Sequence, residues 1–441
     1  MASSSILLTD RPIPLSPAFA TRRKTRANDV VFLLPAILLL YSTLLPQEVR
    51  LTLAGQVIYP YRAVAFLLLP WVLGRIATGR FPFRLADLWM FAGVTWMVVS
   101  FCVFYGISDG IRRGGALAFD TIAPYLIART CVRNFQDVRR LLIIAAPGLM
   151  LAGLSMMVES VSHRQLVRPL AAAIFDPLAY YVNGQAVSNA REFYILRLGL
   201  LRAHGPFSHP ILAGLFLASF LPMYLNSSIK KWPYVIGITA SLFAIFSISS
   251  AAFLSIIISG ILLSYDRLQV YLNGVGWRFF VFALFTCLLI IELASQNGLM
   301  PIIIRYTLDP QTGYYRQLIW EYGMRSIANY PWFGIGFTDY ERLPWMITSI
   351  DNHWILLGVR HGYIAPICVF TSCILGILGL ARTSIGLGKT DSGLAKAIIF
   401  ALTGLIISAF TTSFFGGLHT WFFMIVGIAL SLGDRPAKQL T

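Results

Sequence analysis

Charge is scarce in this chain. Only 12% of its 441 residues are Asp, Glu, Lys or Arg, against about 25% in soluble domains. Lysine is scarcer still, confined to Lys24, Lys230, Lys231, Lys389, Lys396 and Lys438. With 57% hydrophobic residues and a mean hydropathy of +0.71, this shortage excludes a cytosolic enzyme, a disordered chain and a coiled coil. A polytopic membrane protein remains. Acidic residues are outnumbered 19 to 35, leaving a net charge of +16. In such a protein basic charge matters by location, so the excess is no sign of a nucleic acid partner. Cysteine is also sparse. Cys102, Cys131, Cys287, Cys368 and Cys373 all fall in or beside apolar stretches, which implies no disulfide framework and supports no zinc site. A repeat of fixed period is missing, and so are matched, interrupted half-helices, which weighs against an inverted-repeat transporter.

What is present is a series of apolar windows, each near the ~20 residues needed to cross ~30 Å of hydrocarbon. They lie near 30–46, 57–74, 85–105, 114–128, 141–158, 210–225, 233–248, 249–265, 278–294, 362–380, 397–413 and 418–433. The expected fold is therefore all-α and polytopic, with about twelve transmembrane helices. Residues 233–265 read as a tight hairpin, since Lys230-Lys231 precede them and Arg267 and Arg278 follow. Arg22-Arg23-Lys24 and Arg26 ahead of the first window place the N-terminus inside by the positive-inside rule. Counting along the alternation then puts all six lysines on the inner side and both termini in the cytoplasm. Residues 1–29 read as a polar cytoplasmic tail, 30–433 as the membrane domain and 434–441 as a second cytoplasmic tail. The first window reads as an uncleaved anchor.

The two longest connections, 159–209 and 295–361, share the outer face. Long loops on one face are where a polytopic protein can build a site. Their basic residues are all arginine: Arg164, Arg168, Arg191, Arg197 and Arg202, then, before the final turn of the second, Arg305, Arg316, Arg325 and Arg342. Arginine is simply the commoner basic residue in this chain, yet its planar guanidinium also grips phosphate oxygens in a bidentate way. Every histidine (His163, His204, His209, His353, His361 and His419) falls on the outer half. Loop histidines are common, but imidazole is the side chain that takes a proton near neutral pH.

In the first loop, Arg202-Ala203-His204-Gly205-Pro206-Phe207-Ser208-His209-Pro210 runs into the sixth window. Ser208 or His209 suits a helix cap and Pro210 a first turn. A helix start beside an arginine is a ready anion site, although these residues equally serve to turn the chain into the membrane. In the second loop, Tyr314 to Tyr322 carries Tyr315, Ile319 and Tyr322 on one helical face, fitting a short helix lying flat in the headgroup layer. Arg316 and Trp320 are four apart and hence neighbours. Gly334 and Gly336 then permit a tight turn or a close backbone approach. Asp351-Asn352-His353-Trp354 follows, just ahead of the tenth window. Only Arg62 and Asp120 lie deep in windows as ionisable residues, and pairing with each other is the plain reading.

Arg316-x-x-x-Trp320, Pro331-x-x-Gly334-x-Gly336 and Asp351-Asn352-His353-Trp354-Ile355 with Gly358 and Gly362 behind it resemble the O-antigen ligase and Wzy-type polysaccharide polymerase superfamily. The Arg202 to Pro210 run is similar to the same family's earlier outer-loop motif. The resemblance implies two large periplasmic loops carrying short interfacial helices, in a bacterial inner-membrane enzyme. It implies a glycan donor on undecaprenyl pyrophosphate, an acceptor glycan or lipid A core, membrane lipid, and a flippase and chain-length regulator as partners. No cofactor and no metal is implied. Arg316 and Arg202 are thereby expected at the pyrophosphate, and Trp320, Gly334, Gly336, Asn352 and His209 at the substrate. The family's ligases carry histidine where this chain has Asp351, with His353 two residues on. Two helical residues turn by roughly 200°, so either Asp351 or His353 is the expected base. The Asp-Asn form points to repeat-unit polymerisation, with ligation of finished glycan as the alternative and a lipid-linked sugar transporter as a more distant one.

Overall fold

The computed structural model of the chain describes residues 31–53, 56–78, 81–175, 180–182, 185–187, 196–269, 271, 276–295 and 310–433. The tails 1–29 and 434–441, and the loop residues Arg191 and Arg305, lie outside the described residues. Each of the twelve apolar windows is realised as helix: α1 Val31–Ser42, α2 Pro60–Ala77, α3 Leu85–Tyr105, α4 Ile107–Cys131, α5 Phe135–Ser162, then, after a nine-residue α6 (Val167–Phe175), α7 Pro210–Leu225, α8 Trp232–Leu242, α9 Ser250–Leu268 and α10 Trp277–Ala294. The second loop contributes α11 Pro310–Asn329 and α12 His353–His361, and the chain ends on α13 Ile364–Ile385, α14 Lys389–Ser408 and α15 Gly416–Gly433. Among the described residues seven helices are long and apolar enough to cross a membrane: α3, α5, α9, α10, α13, α14 and α15. This is an all-α membrane-embedded protein.

Local chemistry explains the boundaries. Pro60, Pro210 and Pro233 sit in the first turns of α2, α7 and α8, where a missing N–H costs nothing. Asn134 caps α5 by accepting from the Asp137 N–H. Between α8 and α9 the chain tightens into a 3-10 turn over Phe243–Ser247, and Ile248 takes a left-handed φ of 42°. The interruption read at Ser247–Ser250 is thus a real break, and both flanking helices pack on α7.

The innermost element is α15, 89% of whose apolar window is buried. It is apolar all round, as an enclosed helix must be, and it touches α4, α7, α13 and α14. By contrast α10 has no buried residue along its length. The Arg62–Asp120 pair forms as expected, joining α2 to α4 through Nε to Oδ1 at 2.8 Å and a second, shorter Nη2–Oδ2 contact. A second pair was not foreseen. Asp87 of α3 takes Arg129 of α4 at 3.1–3.2 Å and the Tyr125 hydroxyl, all buried.

The two long connections differ in detail from the expected short interfacial helices. The first loop holds α6 and two short antiparallel strand pairs, Tyr180–Val182 with Gln185–Val187 and Leu196–Arg197 with Leu200–Leu201, and a third, Leu51–Leu53 with Gln56–Ile58, lies between α1 and α2. In the second, α11 runs for 20 residues, because nothing between Pro310 and the Tyr330-Pro331 step breaks the helix. Tyr315, Ile319 and Tyr322 do share the inward face. That loop has its own core of Leu318, Ile319, Ile327, Ile335, Met346, Ile355 and Val359. Consequently α12 is wedged between two apolar masses: Ile355 and Val359 belong to the loop core, while Trp354 and Leu357 belong to the bundle core.

Candidate functional site

A nine-residue helix is marginal alone, so α12 depends on its ends. At its start, Asn352 accepts from the Ile355 N–H at 3.0 Å while its own amide donates to the Phe410 carbonyl at 2.8 Å. The His353 N–H donates to the Ala409 carbonyl at 2.8 Å. At its end, the Ile335 and Gly336 N–H groups donate to the Val359 and Arg360 carbonyls at 2.8 and 3.2 Å. Trp96 of α3 donates its indole N–H to the His361 carbonyl at 3.0 Å. These bonds use the His353 and Ile355 N–H groups at the start of the helix and its last three carbonyls.

The remaining face of α12 borders a cavity of about 380 Å³, within the usual range for small-molecule sites. Its walls are His353, Leu356, Leu357, Arg360 and His361 of α12, Thr348–Ile350 just before it, Tyr61 of α2, Asp120 and Thr121 of α4, and Ser413–Gly416 with His419 at the start of α15. Arg360 and His353 are seven residues apart, close to two full turns, so they project from one side of the helix.

The polar groups on this groove fall into two kinds. Some are saturated by protein. Asp120 has both carboxylate oxygens held by the Arg62 fork, and His419 Nε2 lies 3.3 Å from the Thr121 hydroxyl. Others are open to an occupant. Arg360 lies over the Phe337 ring at 5.0 Å, and among the described residues no carboxylate pairs with it. Burial pushes its guanidinium down to about 10. The Nε2 atoms of His353 and His361 are both buried without a hydrogen-bond partner among the described residues. Burial first, and the Arg360 charge as a further cause, hold His353 well below the ordinary imidazole value and His361 at about 3. A cation lacking a counter-ion beside neutral imidazoles makes an anion-accepting groove. Among the described residues no cluster of His, Cys, Asp and Glu could hold a metal ion.

Of the residues singled out from sequence, His353 lines the groove and Asn352 caps its helix. Asp351 lies outside the lining, accepting from the Ser349 hydroxyl at 3.1 Å. Gly334 and Gly336 act through backbone. Both have left-handed φ, 65° and 62°, and a Cβ on Gly334 would lie 2.5 Å from the Arg360 carbonyl carbon and the His361 nitrogen. They close the loop on the end of α12. Trp320 on α11 stacks near Phe410, 6.0 Å between centroids, and Arg316 is half-buried on the same helix; neither lines the groove.

Arg202 and His209 belong to another cluster. His209 caps α7, its Nδ1 accepting from the Ile211 N–H at 3.2 Å. Burial, with the Arg202 charge next, pushes it down to about 4. Arg202 is buried, its Nε 3.5 Å from the Ser247 carbonyl. This segment is held by Glu159 of α5, a fully buried carboxylate that accepts from four backbone N–H groups. Neither Arg202 nor Arg316, the arginines expected at one pyrophosphate, lines the groove, whose cation is Arg360. The missed residues are Arg360, His361 and His419. The spacing of 353 to 360 and 361, two helical turns behind an Asn cap, was the available signal.

No protein-family model matches the chain, and no curated protein does.

Proposed function

We propose that the chain is an inner-membrane glycosyltransferase that polymerises glycan repeat units carried on undecaprenyl pyrophosphate at the periplasmic face. In this reading it has twelve spans, both termini cytoplasmic, and no cofactor. The observation that carries it is Arg360, a guanidinium without a carboxylate partner among the described residues, facing a 380 Å³ groove beside neutral imidazoles. Cleaving a sugar–pyrophosphate bond develops negative charge on the leaving group, and a fixed cation in a desolvated site stabilises that charge. The groove lies where the second outer loop meets the bundle, so a membrane-anchored donor and an acceptor from the outer phase could both reach it. The motif resemblance supplies the substrate class; the groove supplies chemistry compatible with it.

The test uses the purified full chain in liposomes with lipid-linked repeat units. A ladder of lengthening products is expected. Donor consumption without a ladder, but with transfer to lipid A core when that is added, would favour ligation. In the same assay Arg360→Ala should lower turnover by about 10²–10³-fold, the usual cost of removing one charge-stabilising group. Unchanged turnover in that variant would refute the groove as the reaction site.

A further inference from the structure

The hydrogen-bond partners around the groove favour one placement of the ring proton on His353 and on His361. A backbone N–H can only donate, and the Phe414 N–H points at His353 Nδ1 at 3.4 Å. In the neutral ring that leaves the proton on Nε2, the buried atom without a partner. His361 is the reverse. Its Nδ1 lies 2.8 Å from the Ser100 hydroxyl oxygen, and Ser100 itself donates to the Met97 carbonyl at 3.0 Å. A hydroxyl has one proton, and the Met97 carbonyl can only accept it. Placing the Ser100 proton on that carbonyl gives the run His361 Nδ1–H to Ser100 O–H to Met97 O, with the lone pair on His361 Nε2. That atom too is buried without a partner.

Other bases on the groove are already engaged. Asp120 has both oxygens in the Arg62 fork, the His353 lone pair faces Phe414, and the His419 ring bonds both the Thr121 hydroxyl and the Phe414 backbone. Asp351 lies off the groove.

Resting on the glycosyl-transfer reading, we infer that His361 Nε2 takes the proton from the acceptor hydroxyl while His353 Nε2–H donates a hydrogen bond to the departing pyrophosphate. The two residues stand at opposite ends of α12, eight positions or about 12 Å of helix rise apart. The step is an in-line displacement, in which the attacking and leaving oxygens occupy opposite sides of one carbon. The acceptor oxygen bonds to the anomeric carbon, and the bond from that carbon to the pyrophosphate oxygen breaks. Its electron pair leaves with the pyrophosphate, which Arg360 and His353 receive. The hydroxyl proton ends on His361 and passes to water when the products depart.

The experiment combines a spectroscopic readout with isosteric variants of the full chain. In ¹⁵N-histidine-labelled protein, resonances assigned through single His variants should show a protonated, pyrrole-type Nε2 for His353 and an unprotonated, pyridine-type Nε2 for His361. Inorganic pyrophosphate should perturb His353 Nε2. The opposite tautomer at either residue overturns the inference, whether or not the chain makes polymer. For turnover, H361N keeps an amide at the Nδ1 position to bond Ser100 but has nothing at Nε2. It should lose about 10²–10⁴-fold in kcat, the range for general-base removal, with pyrophosphate affinity unchanged within about twofold. H353Q retains an N–H near Nε2 and should keep at least tenfold more activity than H353N. Full activity in H361N, or equal activity in the two His353 variants, overturns the assigned roles. Should no substrate be turned over by the wild type, the glycosyl-transfer reading fails, and the tautomers with pyrophosphate binding still decide the donor and acceptor assignment.

Discussion

Glu159→Gln should be among the most damaging single-atom changes available in this protein. The Glu159 side chain is fully buried. One oxygen accepts from the Leu166 and Val167 N–H groups at 3.1 and 3.2 Å, the other from His204 and Gly205 at 3.3 and 2.8 Å. Glutamine offers one carbonyl, so it can serve only one pair; its amide would point two hydrogens at the other pair of donors. Hydrogen bonds to a charged group contribute about 1.5–3 kcal/mol each, so losing two costs about 3–6 kcal/mol, before any gain from relaxation. A large share of a typical folding margin of about 5–15 kcal/mol is at stake. Either α6 or the segment entering α7 would detach from α5, and Arg202 and His209 would move with the latter. Thermal unfolding in detergent reads the effect, with Glu321→Gln as control, since Glu321 is 48% exposed and paired only with Arg325. A Tm drop on the order of 5–10 °C is expected for Glu159→Gln and under about 2 °C for the control. Equal melting of the two variants would refute the view of Glu159 as the anchor of the first loop.

The buried Asp87–Arg129 pair gives a second stability test: Asp87→Asn alone should cost about 3–5 kcal/mol by stranding Arg129, and the double change Asp87→Asn with Arg129→Met should recover part of it in the same melting assay. Gly334→Ala should uncouple the loop from the end of α12, because the new Cβ meets the Arg360 and His361 backbone at 2.5 Å in a left-handed conformation. Turnover should fall by at least tenfold while the bundle's melting stays within about 3 °C, since the damage is local to the loop. Acid should destabilise the protein: burial pushes His361 down to about 3 and His209 down to about 4 in the fold, so below pH 6.5 the unfolded chain binds protons that the folded one refuses. Each contributes stability that is full above pH 6.5 and falls by about 1.4 kcal/mol per pH unit until its folded pKa is reached. Denaturation midpoints from pH 7.5 to 4.5 should show this slope, and His361→Asn should reduce it by one proton; an unaltered slope would contradict the burial assigned to that ring.

Helices were the legible part of the sequence because the bilayer leaves few options: an apolar run must satisfy its own backbone, and each window did so as helix. Breaks were readable where local chemistry decides them, as at Ser247–Ser250 and at Pro210. Where a residue's role depends on a distant partner the reading stopped. Asp87 and Glu159 look like ordinary helix-end carboxylates in one dimension, yet Asp87 needs Tyr125 and Arg129, and Glu159 needs backbone 7 and 45 residues away. Nothing in the local pattern of either announces that.

The candidate site illustrates the same limit more sharply. The Asp351-Asn352-His353 motif was legible as a helix start, and Asn352 is indeed the cap. What a cap fixes, however, is the phase of every residue behind it. Once His353 is the first helical residue, position 360 falls two turns on and position 361 a further step round, so the start of the helix decides that Arg360 and His361 reach the groove. Asp351, one residue before the cap, is outside that phase and does not line the groove. The arginines of the two loops drew attention because they are numerous and exposed to inspection in long polar segments. Yet a cation that must hold an anion has to lack a protein counter-charge, and that property belongs to packing. Arg62, Arg129 and Arg168 are all answered by carboxylates, on Asp120, Asp87 and Glu48. Arg360 sits in a helix one residue from a histidine and four from Leu356, with no acid on α12 to neutralise it. The groove is therefore charged by omission: the same shortage of acidic residues that marks the whole chain leaves one buried guanidinium for a ligand to answer.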